Sequence, residues 1–127
     1  MATREKLIFV VDDDVMMSQM LNDHLVKNPL NKVSLFSTGE ECILKLNQSP
    51  DLIILDFNLN TVDPNAADGL EILQQIKKID RDVCVIMLSS QEHYGKALQT
   101  IVKGALEYVV KDKDAFSKID KILEAVN

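Results

Sequence analysis

Apolar residues in this chain fall into short runs, and four of the runs end on a residue that can do chemistry. Leu7 to Val11 ends on Asp12, Asp13 and Asp14, and Leu52 to Leu55 ends on Asp56. Val83 to Leu88 ends on Ser89 and Ser90, and Tyr108 to Val110 ends on Lys111. Continuous apolar runs bounded by polar residues predict strands buried on both faces of a sheet. Val33 to Phe36 predicts a further, shorter strand. Between the runs the apolar spacing changes to three and four, the period of amphipathic helices. Met17, Met20, Leu21 and Leu25 outline a helix over 15–27, stopped by Asn28-Pro29. Ser37 or Thr38 can cap a second helix carrying Cys42, Ile43 and Leu46, with Glu40 and Glu41 in its first turn, and Ser49-Pro50 breaks it.

A third helix runs from Gly69 through Leu70, Ile72, Leu73, Ile76 and Ile79. A weaker one spans Gln91 to Lys103 and is closed by Gly104, before a strand over 106–110. Phe116, Ile119, Ile122, Leu123 and Val126 mark the last. Five strands alternating with five helices through short links predict an α/β fold: an open, doubly wound parallel sheet with helices on both faces. In such sheets ligands lie outside the carboxyl ends of the strands, at the switch point in strand order. The acidic residues, the serines and Lys111 all fall on that edge. One segment there, Asn60 to Asp68, has neither period.

Composition narrows the classes. At 127 residues, residues 1–127 read as a single domain, and 46% hydrophobic with only four Gly and three Pro fits an ordered globular chain. No apolar stretch is long enough for a membrane span, and 1–6 contains no secretory apolar core. A formal net charge of −6 disfavours direct nucleic-acid binding. Cys42 and Cys84 lack metal-ligand spacing and sit among apolar residues, so two buried thiols and a cytoplasmic location are expected.

Carboxylates brought within a few ångströms repel, so such a site raises a pKa or recruits a cation. Oxygen donors without His or Cys suit a hard ion, Mg²⁺ above all, beside a phosphoryl group. Lys111 and the Ser89 hydroxyl could each hold a phosphoryl oxygen, and Asp56 is the best-placed nucleophile, giving an aspartyl phosphate. Each residue also has a plainer reading: the acidic run as a solvated turn capping a helix, Asp56 as a loop residue, Ser90 as a cap, Lys111 as a surface lysine. Those readings fail jointly, since they require separate coincidences at four strand ends.

Over nearly its whole length the chain resembles the receiver domain of bacterial two-component response regulators. The resemblance lies in Ile8 to Asp14, Asp51 to Asp56, Asp68 to Leu73, Val85 to Ser90, and Gly104-Ala105 through Tyr108 to Lys111. It implies a flavodoxin-like (βα)5 sheet of order 2-1-3-4-5 and phosphoryl transfer from a sensor histidine kinase or phosphotransfer protein to Asp56. It further implies Asp13, Asp56 and the backbone carbonyl of Asn58 as direct Mg²⁺ ligands, with Asp12 acting mainly through water. Ser89 and Tyr108 become switch residues, read out on the surface of helix 4, strand 5 and helix 5. Gln91 takes a place that tunes phosphoryl lifetime. The chain would modify only itself, without turnover. An effector and a phosphorylation-dependent homodimer are possible partners, and neither is specified by these residues.

Two departures stand out. Asn60 occupies a place where the family has Pro, and Asp68-Gly69 follows five residues late, so the loop beside the site is longer and carries Asp63. Decoration is the expected role of that loop, since loops absorb insertions at small cost. Asp112 replaces the family's Pro after the lysine, where a cis bond is usual; a non-proline cis bond costs about 2.5–4 kcal/mol. A trans bond with Lys111 repositioned and a retained strained bond both remain open. Three rival classes are weaker. A phosphohydrolase wants an acid where Asn58 stands, and a flavin-binding domain wants a phosphate loop free of aspartates. A phosphorylation-independent interaction module has no need of the intact acidic set.

Overall fold

The computed structural model describes residues 4–90 and 94–126. Five strands, β1 (Lys6–Val11), β2 (Asn31–Phe36), β3 (Leu52–Asp56), β4 (Cys84–Ser89) and β5 (Glu107–Val110), form one sheet in the order β2-β1-β3-β4-β5. All four pairings are parallel. Four helices connect them, α1 (Val15–Leu25), α2 (Gly39–Leu44), α3 (Gly69–Ile79) and α4 (Tyr94–Val102), and α5 (Ala115–Ala125) follows β5. This is the flavodoxin-like order expected from the sequence.

Alternation along the strands divides the core in two. Phe9, Val11, Ile53, Leu55, Val85 and Met87 face one way and pack with Cys42 of α2 and Ile72, Leu73 and Ile76 of α3. Ile8, Val10, Leu52, Ile54, Ile86 and Leu88 face the other way, against Leu21 and Leu25 of α1 and Ile119 and Leu123 of α5. Helices on both faces leave β1, β3 and β4 without a wet side, which is why these strands read as unbroken apolar runs. The edge strand β2 is half-exposed and starts two residues earlier than predicted, at the polar Asn31 and Lys32.

Other boundaries shift for local reasons. Helix α1 ends at Leu25, and Lys27 and Asn28 turn off through i−3 bonds ahead of Pro29. Met20 lies on its exposed side rather than in the core. The second helix stops at Leu44, and buried Leu46 belongs to a 3₁₀ turn, Leu46–Gln48, closed by Ser49 at φ 58°. Thr38, rather than Ser37, caps α2. Gly104, at φ 110°, follows α4 as expected, whereas residues 91–93 of the predicted helix, Gln91 included, lie outside the described residues. Cys42 is buried and Cys84 only partly so, and both are free thiols. No described helix is long and apolar enough to cross a membrane.

Candidate functional site

The switch in strand order lies between β1 and β3, and both strands deliver carboxylates to their carboxyl ends. Register pairs Val11 with Leu55, so Asp12 leaves β1 beside Asp56, the last residue of β3. Asp56 pairs in turn with Leu88, which sets Ser89 at the neighbouring strand end. Lys111 follows β5, and its N–H donates to the Ser89 carbonyl at 2.7 Å. Gly69 allows the return of the chain: a Cβ there would lie 2.2 Å from the Asp56 carbonyl oxygen, so only glycine lets α3 begin against this backbone.

One carboxylate oxygen from each of Asp12, Asp13 and Asp56 lies within 4.8 Å of the others. Asp12 and Asp56 are buried, and Asp13 is partly exposed. Lys111 Nζ stands 3.1 Å from Asp12 Oδ2 and 3.3 Å from Asp56 Oδ1, one cation among three acids. Burial, and then the neighbouring Asp12, push the Asp56 carboxyl up to about 7, against the opposing pull of Lys111. For Lys111, burial works against the charge, but Asp56 and Asp12 outweigh it and the net direction is upward. Asp12 Oδ2 is buried, with the Lys111 ammonium at 3.1 Å as its partner. Three carboxylates gathered around one lysine fit a hard divalent cation, and the donor set contains only oxygen. The cluster could therefore hold a metal ion.

The remaining expected residues fall around this centre. The Asn58 N–H turns back to Asp56 Oδ1 at 3.3 Å. Asp14 caps α1, accepting from the N–H groups of Met16 and Met17, and Asp12 Oδ1 accepts the Asp14 N–H at 2.9 Å. The capping reading of the acidic run thus holds for Asp14. The described chain contains no cis peptide bond, so Lys111–Asp112 is trans, and Lys111 still reaches both acids. Ser89 is buried at the end of β4, and Tyr108 is half-buried on β5.

Several contacts were not legible beforehand. The Phe57 ring meets Tyr108 edge-on at 6.3 Å and carries Lys96 Nζ of α4 at 5.2 Å over its face. The longer loop after β3 bonds Asp13: the N–H groups of Thr61 (3.0 Å) and Val62 (3.2 Å) and the Thr61 hydroxyl all donate to Asp13 Oδ2. Its far end is held where the Ala67 N–H meets Glu40 Oε2 at 3.0 Å. Asp63 stays out of the acidic cluster and accepts the Asn65 N–H within its own turn. The loop therefore does more than decorate the site. An irregular segment shortly after Asp56 was the only signal in the sequence.

Comparison with known proteins bears on this arrangement. The family model described as "Response regulator receiver domain" matches residues 8–127. The chain belongs to that family. The chemotaxis protein CheY of Bacillus subtilis (strain 168) is 33% identical over 121 residues, covering 94% of this chain and 93% of CheY. Among solved structures, the response regulator domain of Thermotoga maritima CheB is 27% identical, with a TM-score of 0.78, covering 96% of this receiver chain and 93% of that one. The BeF3-activated DrrB receiver domain is also 27% identical, with a TM-score of 0.77 over 94% and 98% of the two chains.

Proposed function

We propose that this receiver takes a phosphoryl group onto Asp56 from a sensor histidine kinase or phosphotransfer protein, in a Mg²⁺-dependent step. The observation that carries the reading is the convergence of Asp12, Asp13 and Asp56 within 4.8 Å, with Lys111 3.3 Å from Asp56. A carboxylate oxygen of Asp56 attacks phosphorus, the bond from phosphorus to the donor breaks, and an acyl phosphate forms. Asp13, Asp56 and the Asn58 backbone carbonyl would hold Mg²⁺ directly, with Asp12 acting through water. When bound, the ion supplies positive charge that offsets the acids and stabilises phosphoryl oxygens. Lys111 adds a second cation for the phosphoryl group, and the Ser89 hydroxyl a hydrogen bond.

The chain acts on itself and is not a turnover enzyme. Its location is cytoplasmic, and its signal passes to an effector domain or protein. The output is a population shift on the surface of α4, β5 and α5, through Ser89 and Tyr108. Support for this route comes from Phe57, which follows Asp56 directly and touches both Tyr108 of β5 and Lys96 of α4.

Incubation with acetyl phosphate and Mg²⁺, followed by intact mass measurement, tests the reading. The wild-type protein is expected to gain one phosphoryl group, and chelation of the metal or Asp56→Asn to abolish the gain. Wild-type protein without an adduct would instead identify a phosphorylation-independent interaction module.

A further inference from the structure

Asp13 differs from the other two acids in how it is held. Asp12 and Asp56 share the Lys111 cation, whereas Asp13 gives one oxygen, Oδ2, to three donors from the loop after β3. A carboxylate has about four lone-pair sites over its two oxygens. Three donors therefore occupy Oδ2 fully, and Oδ1 is the oxygen left for a cation. The loop is anchored at its other end by Glu40 of α2 and by Asp68, which caps α3 through the Glu71 N–H at 3.1 Å. To bind an ion through both oxygens, Asp13 would have to release three hydrogen bonds at once.

We infer that the segment 60–67 is a strap that restricts Asp13 to one-oxygen ligation and so sets the site's preference for Mg²⁺ over Ca²⁺, with Thr61 as the positioning residue. This rests on the reading of the acidic cluster as a divalent-cation site. The chemistry of the two ions gives the selectivity. Mg²⁺ takes six ligands at short, near-octahedral distances and is satisfied by single oxygens and waters. Ca²⁺ takes up to about eight oxygens at longer distances and gains from two-oxygen carboxylates. A carboxylate with one oxygen already committed serves the first ion and denies the second its extra ligand. Asp12 and Asp56, both buried, share a single lysine, so the pocket holds more acid than Lys111 balances. The residues that ligate are not changed by the strap; only the number of oxygens one of them can offer is.

The experiment is calorimetric titration of metal-free protein with Mg²⁺ alone and with Ca²⁺ alone, in wild type, Thr61→Val, Thr61→Ser and Asp13→Asn. Thermal melts of each variant accompany the titrations. Thr61→Val keeps the shape of the side chain and removes the hydroxyl. It is expected to strengthen Ca²⁺ binding about tenfold, the lower end of the effect of partners that orient metal ligands, because Asp13 Oδ2 then gives up fewer hydrogen bonds to serve as a second ligand, with a smaller change for Mg²⁺, which needs only Oδ1. The Mg²⁺ to Ca²⁺ preference therefore narrows, and Thr61→Ser restores it. A preference unchanged in Thr61→Val, or an equal weakening of both ions, overturns the strap while the metal site stands. Wild-type protein that binds neither ion overturns both.

Discussion

Two aspartates bracket the strand β3, and their surroundings drive them in opposite directions. Asp51 precedes the strand, at the amino edge of the sheet. Its carboxylate accepts the Leu7 N–H at 2.8 Å and pairs with the Arg4 guanidinium at 2.9 Å. Burial works against its charge, but Arg4 and Leu7 outweigh burial and hold the carboxyl below its ordinary 3.8. Asp56 ends the strand, is more deeply buried, faces another acid, and is pushed up to about 7. The two edges of the sheet follow the same contrast. At the amino edge His24 meets Asp120 at 2.9 Å and Lys6 donates to the Leu123 carbonyl, so polar groups find partners where they arise. At the carboxyl edge Asp12 and Asp56 share one lysine, with Asp13 close beside them. An acid with a matched partner contributes to the fold; acids crowded beyond their partners store a demand for a ligand. The difference marks the carboxyl end of the sheet as the one open to a ligand.

The largest test of that contrast is pH. An Asp56 carboxyl raised in the folded state binds its proton more tightly than in the unfolded chain. For the metal-free protein it therefore contributes stability that is full below 3.8 and is lost as pH rises through about 7. The gap between 3.8 and about 7, at roughly 1.4 kcal/mol per pH unit, amounts to about 4 kcal/mol. Urea denaturation in the presence of a chelator should show stability falling across that window. Asp56→Asn should flatten the profile and be the more stable protein at its alkaline end. A wild-type profile that is flat, or that rises with pH, would mean the acids at this edge are already matched.

Lys111→Met sharpens the same point from the cationic side. Lys111 is the ion-pair partner of both Asp12 and Asp56, and its side chain is only 18% exposed. Removing one partner from a buried pair leaves charge uncompensated and costs about 3 kcal/mol. The loss should appear in metal-free protein above neutral pH and should shrink when Mg²⁺ is added, since the ion replaces part of the missing charge. A loss of equal size with and without Mg²⁺ would assign Lys111 to packing rather than to charge balance.

Much of this edge was readable from the sequence, because parallel strands buried on both faces announce themselves and their next residues must share a rim. Asp12, Asp56, Ser89 and Lys111 were found in that way. What escaped depends on contacts that no local pattern encodes. The Thr61 hydroxyl reaches an aspartate 48 residues away, and two of the three bonds on Asp13 come from backbone N–H groups that any sequence possesses. The start of β2 escaped because an edge strand need not be apolar: Asn31 and Lys32 extend it while remaining open to solvent. The helix after β2 was read as longer than it is, because buried Leu46 satisfies a helical spacing while belonging to a separate 3₁₀ turn.

The smallest effect belongs to the amino edge. Asp51 loses its charge in Asp51→Asn, and with it the charge-assisted bonds to Leu7 and Arg4. Arg4 is 48% exposed, so solvent screens most of that pair and the Leu7 bond carries the greater part. The expected cost near neutral pH is about 1 kcal/mol. Its sign with pH is opposite to that of Asp56. A lowered carboxyl contributes stability that is full above 3.8 and is lost as pH falls through its folded value, so wild type and variant should converge in strong acid. Salt should barely alter the difference, because a short bond to a backbone N–H is screened far less than an exposed ion pair. Urea midpoints for the two proteins across that acid range decide the matter. A variant that stays less stable by the same margin after wild-type Asp51 has been protonated would show that packing of the carboxyl, not its charge, holds this edge together. The contrast along β3 would then rest on Asp56 alone.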